Sequence, residues 1–358
     1  MTLEATPVLL VDRDILDHNI ARLVASARER GLAVRPHVKT HKCIEIARRQ
    51  LDAGAQGLTV ATVSEAEVFA GAGFDDIFVA YPLWVDAARG ARLRALTERA
   101  RVAAGIDSAE VARALAAHAG TDVGVLVEVD SGHHRTGVAP EQAGAVAAAA
   151  RAAGLEVFGV FTFPGHSYGP GVTPVAAKEE ADALGVAAAA LREVGIEPAV
   201  ISGGSSPTAF LDVPTAATEL RPGVYVFGDA QQLELGAVTE ADIALTALAT
   251  VVSARGEVVV LDTGSKVLGA DRAPWASGYG RILGEPDARI TALSEHHATV
   301  QWPSAPTRPG LGERVRVIPN HVCNAVNLAD GLIVISGDPV GDDAVVDRWT
   351  VAARGCNS

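Results

Sequence analysis

Cysteine is scarce in this chain: three in 358 residues, at Cys43, Cys323 and Cys356. They lie far apart and are odd in number, which excludes a disulfide framework and fits a reducing compartment. Excess positive charge is missing too. Thirty Lys and Arg stand against 43 Asp and Glu, a formal net charge of −13. No nucleic acid is therefore expected as a main partner, because phosphate backbones are bound by clustered cations. No run of about 18 apolar residues occurs. The Ala-rich stretch Ala143–Ala153 is shorter and contains Arg151, so no membrane partner is expected. Met1 to Leu10 lacks the basic-then-apolar order of a secretion signal. Obvious repeats and low-complexity linkers are absent. What remains is 49% apolar and 20% charged, the balance of a globular protein with a large core, expected in the cytoplasm with a small-molecule partner.

Periodicity divides the chain. Up to about residue 230, β-like runs at Leu32–Pro36, Gly57–Ala61, Asp76–Ala80, Arg101–Ile106, Val123–Val129, Val157–Phe161, Ala199–Ser202 and Tyr225–Phe227 alternate with segments of helical spacing, such as Asp14–Arg30, Ala109–Ala119 and Pro174–Val194. Continuous apolar strands separated by helices imply a parallel sheet covered by helices. Eight of them predict a (β/α)8 TIM barrel, with a doubly wound open sheet as the alternative. Later runs, from Ala244–Ala254 to Ala344–Arg348, are strand-like without convincing helices. The expected domains are a barrel over 8–235 and an antiparallel β-domain over 236–358, which residues 1–7 are free to join.

Chemistry gathers at the strand ends. Lys39 lies in Arg35-Pro36-His37-Val38-Lys39-Thr40-His41-Lys42, just after the first expected barrel strand, and barrels carry active sites at the C-terminal ends of strands. A lysine becomes a nucleophile when desolvation or neighbouring positive charge lowers its pKa, and Arg35, His37, His41 and Lys42 offer such a setting. The same stretch also fits a solvated basic loop. Ser202-Gly203-Gly204-Ser205-Ser206 and Arg221-Pro222-Gly223-Val224-Tyr225 fall at the last two expected strands, where this fold commonly holds phosphate. Glycines let backbone N–H groups approach an anion and hydroxyls add donors; ordinary tight turns are the alternative. Within Glu128–Gly137, Arg135 has the fixed donor fork to meet the phenolic oxygen of a cofactor ring. Phe163-Pro164-Gly165-His166-Ser167-Tyr168 adds His166 and Tyr168 as polar wall residues, though a lone histidine also fits a surface role. In Pro319-Asn320-His321-Val322-Cys323, an extended backbone would point His321 and Cys323 to one side. Nitrogen and sulfur donors suit zinc with open positions for water and substrate; a buried cysteine beside a surface histidine is the simpler alternative.

Taken together, these motifs resemble the D-serine dehydratase and D-threonine aldolase family, fold-type III pyridoxal-phosphate enzymes related to alanine racemase. The resemblance spans almost the whole chain and implies an alanine racemase-like barrel plus β-domain. It implies Lys39 as the Schiff-base lysine of pyridoxal 5'-phosphate and Arg135 at the cofactor's phenolic oxygen. It also implies Ser202, Gly203, Gly204, Ser205, Gly223 and Tyr225 about the phosphate, Tyr168 near cofactor and substrate, and His321 with Cys323 on zinc. Lys39, Tyr168 and His166 are the candidate catalytic residues. A head-to-tail homodimer and a D-amino acid substrate follow from the same resemblance. Two departures stand out: Ser294-Glu295-His296-His297 replaces a Ser-Glu-Glu-His run, and Thr162-Phe163-Pro164 replaces a different aromatic or His-containing approach to Gly165-His166-Ser167-Tyr168.

A thiolate as second metal ligand resembles the dehydratase branch, whereas aldolases more often carry a carboxylate there. Cys323 therefore points to β-elimination of water from a β-hydroxy D-amino acid, D-serine giving pyruvate and ammonia. D-threonine aldolase and D-threo-3-hydroxyaspartate dehydratase use the same parts and stand as alternatives. A racemase shares the fold but has no need of metal at a β-hydroxyl. A non-catalytic carrier of pyridoxal phosphate resembles the barrel alone.

Overall fold

The computed structural model describes residues 5–337 and 345–358. Ala344, where the last expected strand begins, lies outside the described residues, as do residues 1–4 of the segment expected to be free to join the β-domain. Strand β1 (Val8–Asp12) runs directly into helix α1 (Arg13–Glu29). The Asp12 carboxylate accepts the N–H groups of Asp14 and Ile15 at 3.1 and 3.2 Å, satisfying donors that the first turn leaves free.

Eight parallel strands follow: β2 (Ala33–Val34), β3 (Leu58–Val60), β4 (Asp76–Pro82), β5 (Arg101–Ile106), β6 (Gly124–Glu128), β7 (Val157–Phe161), β8 (Val200–Gly203) and β9 (Glu219–Leu220). The order β2-β9-β8-β7-β6-β5-β4-β3 brings β2 and β3 to the two edges. A bridge from His37 to Thr59 and a 2.9 Å bond from Thr59 N–H to the Pro36 carbonyl join those edges, giving the expected barrel. Covering helices include α2 (Ile44–Asp52), α3 (Val63–Gly71), α4 (Ala87–Thr97), α5 (Ala109–Ala119), α6 (Ala143–Ala152) and α7 (Thr173–Glu193). Thr62, Asp86 and Ser108 start three of them by accepting an N–H of the first turn. Inside the barrel Phe78, Ala103, Leu126 and Phe161 pack together, and each large side chain removed from water contributes about 1.5–3 kcal/mol.

One strand was misplaced. The eighth barrel strand is Glu219–Leu220, and the expected Tyr225–Phe227 falls at a buried 3-10 turn, Val224–Val226. The apolar triplet reads as a strand by composition. The true strand carries a charge, tolerated because the Glu219 carboxylate accepts from Arg35 Nε at 3.1 Å inside the barrel.

The remaining strands, β10 (Leu245–Arg255), β11 (Val258–Leu261), β12 (Gly280–Ile282), β13 (Glu285–Leu293), β14 (Ala298–Gln301), β15 (Arg314–Pro319), β16 (Gly331–Ile335) and β17 (Val345–Thr350), form a nine-stranded sheet with β1. Six of them close on themselves through the β10–β11 pair. Pairing is antiparallel except between β1 and β16. Helix α8 (Ala230–Glu234) precedes this region, and the expectation of no helix within it is corrected by α9 (Ser265–Leu268) and α10 (Val322–Leu328), each too short for its periodicity to show in sequence. Two compact units result. One holds residues up to 21, 40–46 and 224–355; the other holds 22–39, 47–223 and 356–358. Residues 8–21 and 224–235, grouped with the barrel in sequence, thus pack with the β-strands. Among the described residues no helix is long and apolar enough to cross a membrane.

Candidate active site

After β2 the chain enters a 3-10 turn, Val38–Thr40, that sets Lys39 half-buried past the C-terminal end of a barrel strand. Its Nζ lies 5.6 Å from the centre of the Phe163 ring. The Arg135 guanidinium sits over the same ring at 5.2 Å. His133 packs edge-on at 5.6 Å and Tyr168 tilts against it at 6.1 Å. One aromatic ring therefore gathers residues from the ends of β2, β6 and β7. Contacts between a cation and a ring face contribute about 0.5–2 kcal/mol, more as water is excluded.

The loops after β6 and β7 interlock through missing side chains. A Cβ on Gly165 would stand 2.5 Å from the His133 ring, and one on Gly137 would meet the backbone of Val129 and Asp130 at 2.8 Å. His166 turns toward α7, its Nε2 3.0 Å from Glu179 Oε2, while its Nδ1 is buried without a hydrogen-bond partner. Burial and the nearby Arg135 charge pull the His133 pKa below its ordinary value.

At the end of β8, Gly204 adopts a left-handed backbone (φ 89°) that glycine favours. Its N–H donates to the buried Glu180 carboxyl. Ser205 N–H donates to Thr208 Oγ1 at 3.0 Å, and Ser205 Oγ meets Ser167 Oγ at 2.8 Å. Ser202 faces the barrel interior, donating to Glu219 at 2.6 Å and accepting from Arg221 Nε at 2.7 Å. A Cβ on Gly203 would fall 2.4 Å from Glu180 Oε1. Burial pushes Glu180 up to about 7, so near neutral pH this acid carries only part of its charge. Gly223 closes the barrel unit, and Tyr225 is buried in the turn Val224–Val226 of the other unit. A half-buried lysine and an arginine on an aromatic platform, with a glycine and hydroxyl loop one strand on, fit a phosphorylated aromatic aldehyde.

The cationic setting expected around Lys39 takes a different form. Arg35 is buried and bound to Asp76 at 2.7 and 3.2 Å and to Glu219; both carboxylates open their strands at the far end of the barrel. A buried guanidinium requires such partners. His41 accepts the Cys43 N–H on Nδ1 at 3.1 Å, and Lys42 donates to Asn327 Oδ1 at 2.8 Å. Arg135 shares the Phe163 ring with Lys39. Two buried groups within the motifs named above were given no role of their own by the sequence. Arg221 sits over both the Phe78 and Phe161 rings, at 5.5 and 5.1 Å from their centres, and donates to the Thr162 carbonyl at 2.5 Å. Glu128, at the end of β6, is raised by burial, and its Oε2 has no hydrogen-bond partner.

His321 and Cys323 occupy a helix start, which corrects the expected extended segment. His321 is the N-cap residue of α10 and Cys323 lies in its first turn. Burial lowers the His321 pKa, but Cys323, Asp271 and Asp229 together override it and push it up to about 11. Asp229 caps α8 and also accepts the Val322 N–H at 3.2 Å. The Cys323 thiol donates to Thr40 Oγ1 at 3.3 Å, and Thr40 is the residue after Lys39. Acidic neighbours that draw a proton onto an imidazole draw a metal cation by the same field, and an N,S donor pair suits zinc. Among the described residues no group of three or more His, Cys, Asp and Glu side chains has the arrangement of a metal site.

An eight-stranded parallel barrel with a lysine at a strand end, followed by a closed β-domain, defines the fold of alanine racemase and its relatives. The chain belongs to that family: residues 11–231 match the alanine racemase N-terminal domain, and residues 244–335 match a putative serine dehydratase domain. D-threonine aldolase of Arthrobacter sp. is 36% identical over 98% of this chain and 93% of that protein. D-threo-3-hydroxyaspartate dehydratase of Delftia sp. (strain HT23) is 34% identical over 96% of each. The solved structure of the latter superposes with a TM-score of 0.88 at 31% identity, covering 97% of both chains. D-threonine aldolase from Filomicrobium marinum gives 0.86 at 30%, covering 98% of this chain and 96% of that one. Alanine racemase from Bacillus anthracis, at 15% identity and 0.68 over 98% of this chain and 99% of that one, shares the fold. It is a family of pyridoxal-phosphate enzymes, and the branch formed by the aldolase and dehydratase relatives consists of lyases acting on D-amino acids.

Proposed function

We propose that the chain is a zinc-dependent D-serine dehydratase, removing water from D-serine to give pyruvate and ammonia. The observation that carries this reading is the pairing of His321 with Cys323, whose sulfur touches Thr40, the neighbour of Lys39. A D-threo-3-hydroxyaspartate dehydratase has been solved as a histidine-to-alanine mutant and as a cysteine-to-alanine mutant in the metal-free form, the two positions standing two apart. The same spacing here supports a dehydratase. Whole-chain identity favours the aldolase, at 36% against 28% for D-serine dehydratase of Dictyostelium discoideum. Identity averages over residues remote from chemistry, whereas a second metal ligand acts on the leaving group.

When bound, pyridoxal phosphate supplies an electron sink for charge at Cα, and a divalent metal supplies Lewis acidity at the β-hydroxyl. Lys39 would hold the cofactor through its Nζ and, where the substrate amine takes that place, its free amine would take the Cα proton. Arg135, seated on Phe163, would donate to the phenolic oxygen. Gly203, Gly204, Ser205, Gly223 and Tyr225 would hold the phosphate, Ser202 would steady that loop from inside the barrel, and Tyr168 and His166 would wall the reacting groups. His321 and Cys323 would hold the metal. The proton taken at Cα and the hydroxide leaving Cβ amount to one water, and the enamine released hydrolyses to the 2-oxo acid and ammonia. The family resemblance supports a homodimer, and three free thiols support a cytoplasmic setting.

A second reading, D-threo-3-hydroxyaspartate dehydratase, is favoured by 34% identity with the Delftia enzyme and by the shared ligand spacing. Separate incubations with D-serine, D-threo-3-hydroxyaspartate and D-threonine, with 2-oxo acid and glycine measured in each, test the assignment. Pyruvate from D-serine is expected. Glycine from D-threonine as the main product would overturn it.

A further inference from the structure

Asp271 has no place in the chemistry above, yet the chain is shaped to deliver it to His321. After α9 the backbone reverses at Gly269 in a left-handed conformation (φ 74°), and a Cβ there would stand 2.9 Å from Asn324 Cβ on α10. The loop is thus pressed onto the helix that carries Cys323. Asn320 Nδ2, one residue before His321, clamps the Asp271 carbonyl at 2.9 Å. The Asp271 carboxylate then meets His321 at Nδ1 through Oδ2. Two contacts between adjacent residue pairs fix both the loop and the ring it faces.

We infer that Asp271 is the positioning residue of the metal pair: it occupies His321 Nδ1, fixes the ring's orientation and leaves Nε2 to meet a divalent cation. This inference rests on the zinc reading and adds a residue to it. A carboxylate on the distal nitrogen sets the tautomer, raises the basicity of the ligating nitrogen and commonly governs about 10- to 100-fold in metal affinity. Asp271 is part-exposed, with its side chain 46% accessible, so removing it leaves no buried cavity.

The test uses the full-length holoenzyme, stripped of metal and titrated with zinc against a chromophoric chelator. Asp271→Ala, Asp271→Asn, His321→Ala and Cys323→Ala are compared with the parent. Asp271→Ala is expected to weaken zinc binding about 10- to 100-fold, with the visible cofactor band and the metal-free Tm unchanged. Asp271→Asn, which keeps an acceptor for Nδ1–H, is expected to recover part of that loss. Nitrogen NMR of labelled histidine in the metal-free protein is expected to show a change of His321 state in the alanine variant. Zinc affinity within twofold of the parent in Asp271→Ala, while His321→Ala and Cys323→Ala lose zinc, overturns the inference and leaves the zinc reading standing. Parental zinc affinity in His321→Ala overturns the zinc reading and this inference with it.

Discussion

Glu180 makes the stability of this protein fall as pH rises from about 4.5 towards neutrality. Its carboxyl is buried on α7, accepts the Gly204 N–H, and titrates at about 7 against an ordinary 4.5, chiefly because burial disfavours the charge. Below 4.5 both folded and unfolded chains hold the proton and the full stability is present. Between 4.5 and about 7 the unfolded chain ionises while the folded one keeps its proton, so stability is lost as pH rises. Above about 7 the folded form ionises too and the loss levels off. At about 1.4 kcal/mol per pH unit, that interval is worth about 3 kcal/mol. Glu180→Gln keeps an acceptor for Gly204 N–H but cannot ionise. Urea unfolding of cofactor-free parent and variant at pH 5, 6, 7 and 8 reads the difference. The parent should lose ground to the variant between pH 5 and 7 and little more between 7 and 8, and carboxyl-carbon NMR should place Glu180 near 7. A difference that stays flat with pH refutes the reasoning.

Phe163→Leu removes the platform beneath Lys39 and Arg135 while keeping apolar bulk. Losing two contacts of about 0.5–1 kcal/mol each should weaken cofactor binding about 5- to 30-fold with Tm little changed, measured by titration of the apoprotein followed at the visible band. Arg35→Met leaves Glu219 buried without its cation and should cost about 3–5 kcal/mol, seen as a lowered urea midpoint. Lys39→Ala should abolish both turnover and the visible band of the bound cofactor, while its far-UV dichroism matches the parent.

Strand ends were legible because alternation of apolar runs and helical spacing survives in single sequences, and the barrel's active face follows from strand direction. Lys39, Arg135 and the Gly203–Gly204 turn could be named on that basis. Phe163 could not be recognised as their common support: an aromatic after a strand looks the same whether it fills a core or carries two cations. Arg35 misled for the complementary reason, since adjacency in sequence suggested a shared field with Lys39. Its carboxylate partners, Asp76 and Glu219, are 41 and 184 residues away. The start of α10 was hidden by its seven-residue length. Asp271 lies 50 residues before His321, beyond any local pattern.

The central claim is tested most directly by D-serine turnover before and after metal removal. With holoenzyme and D-serine, pyruvate and ammonia should form in equal amounts, stop on chelation while the visible cofactor band persists, and return on adding zinc. Pyruvate formation that survives complete demetallation, or no pyruvate from D-serine at any metal content, would contradict it.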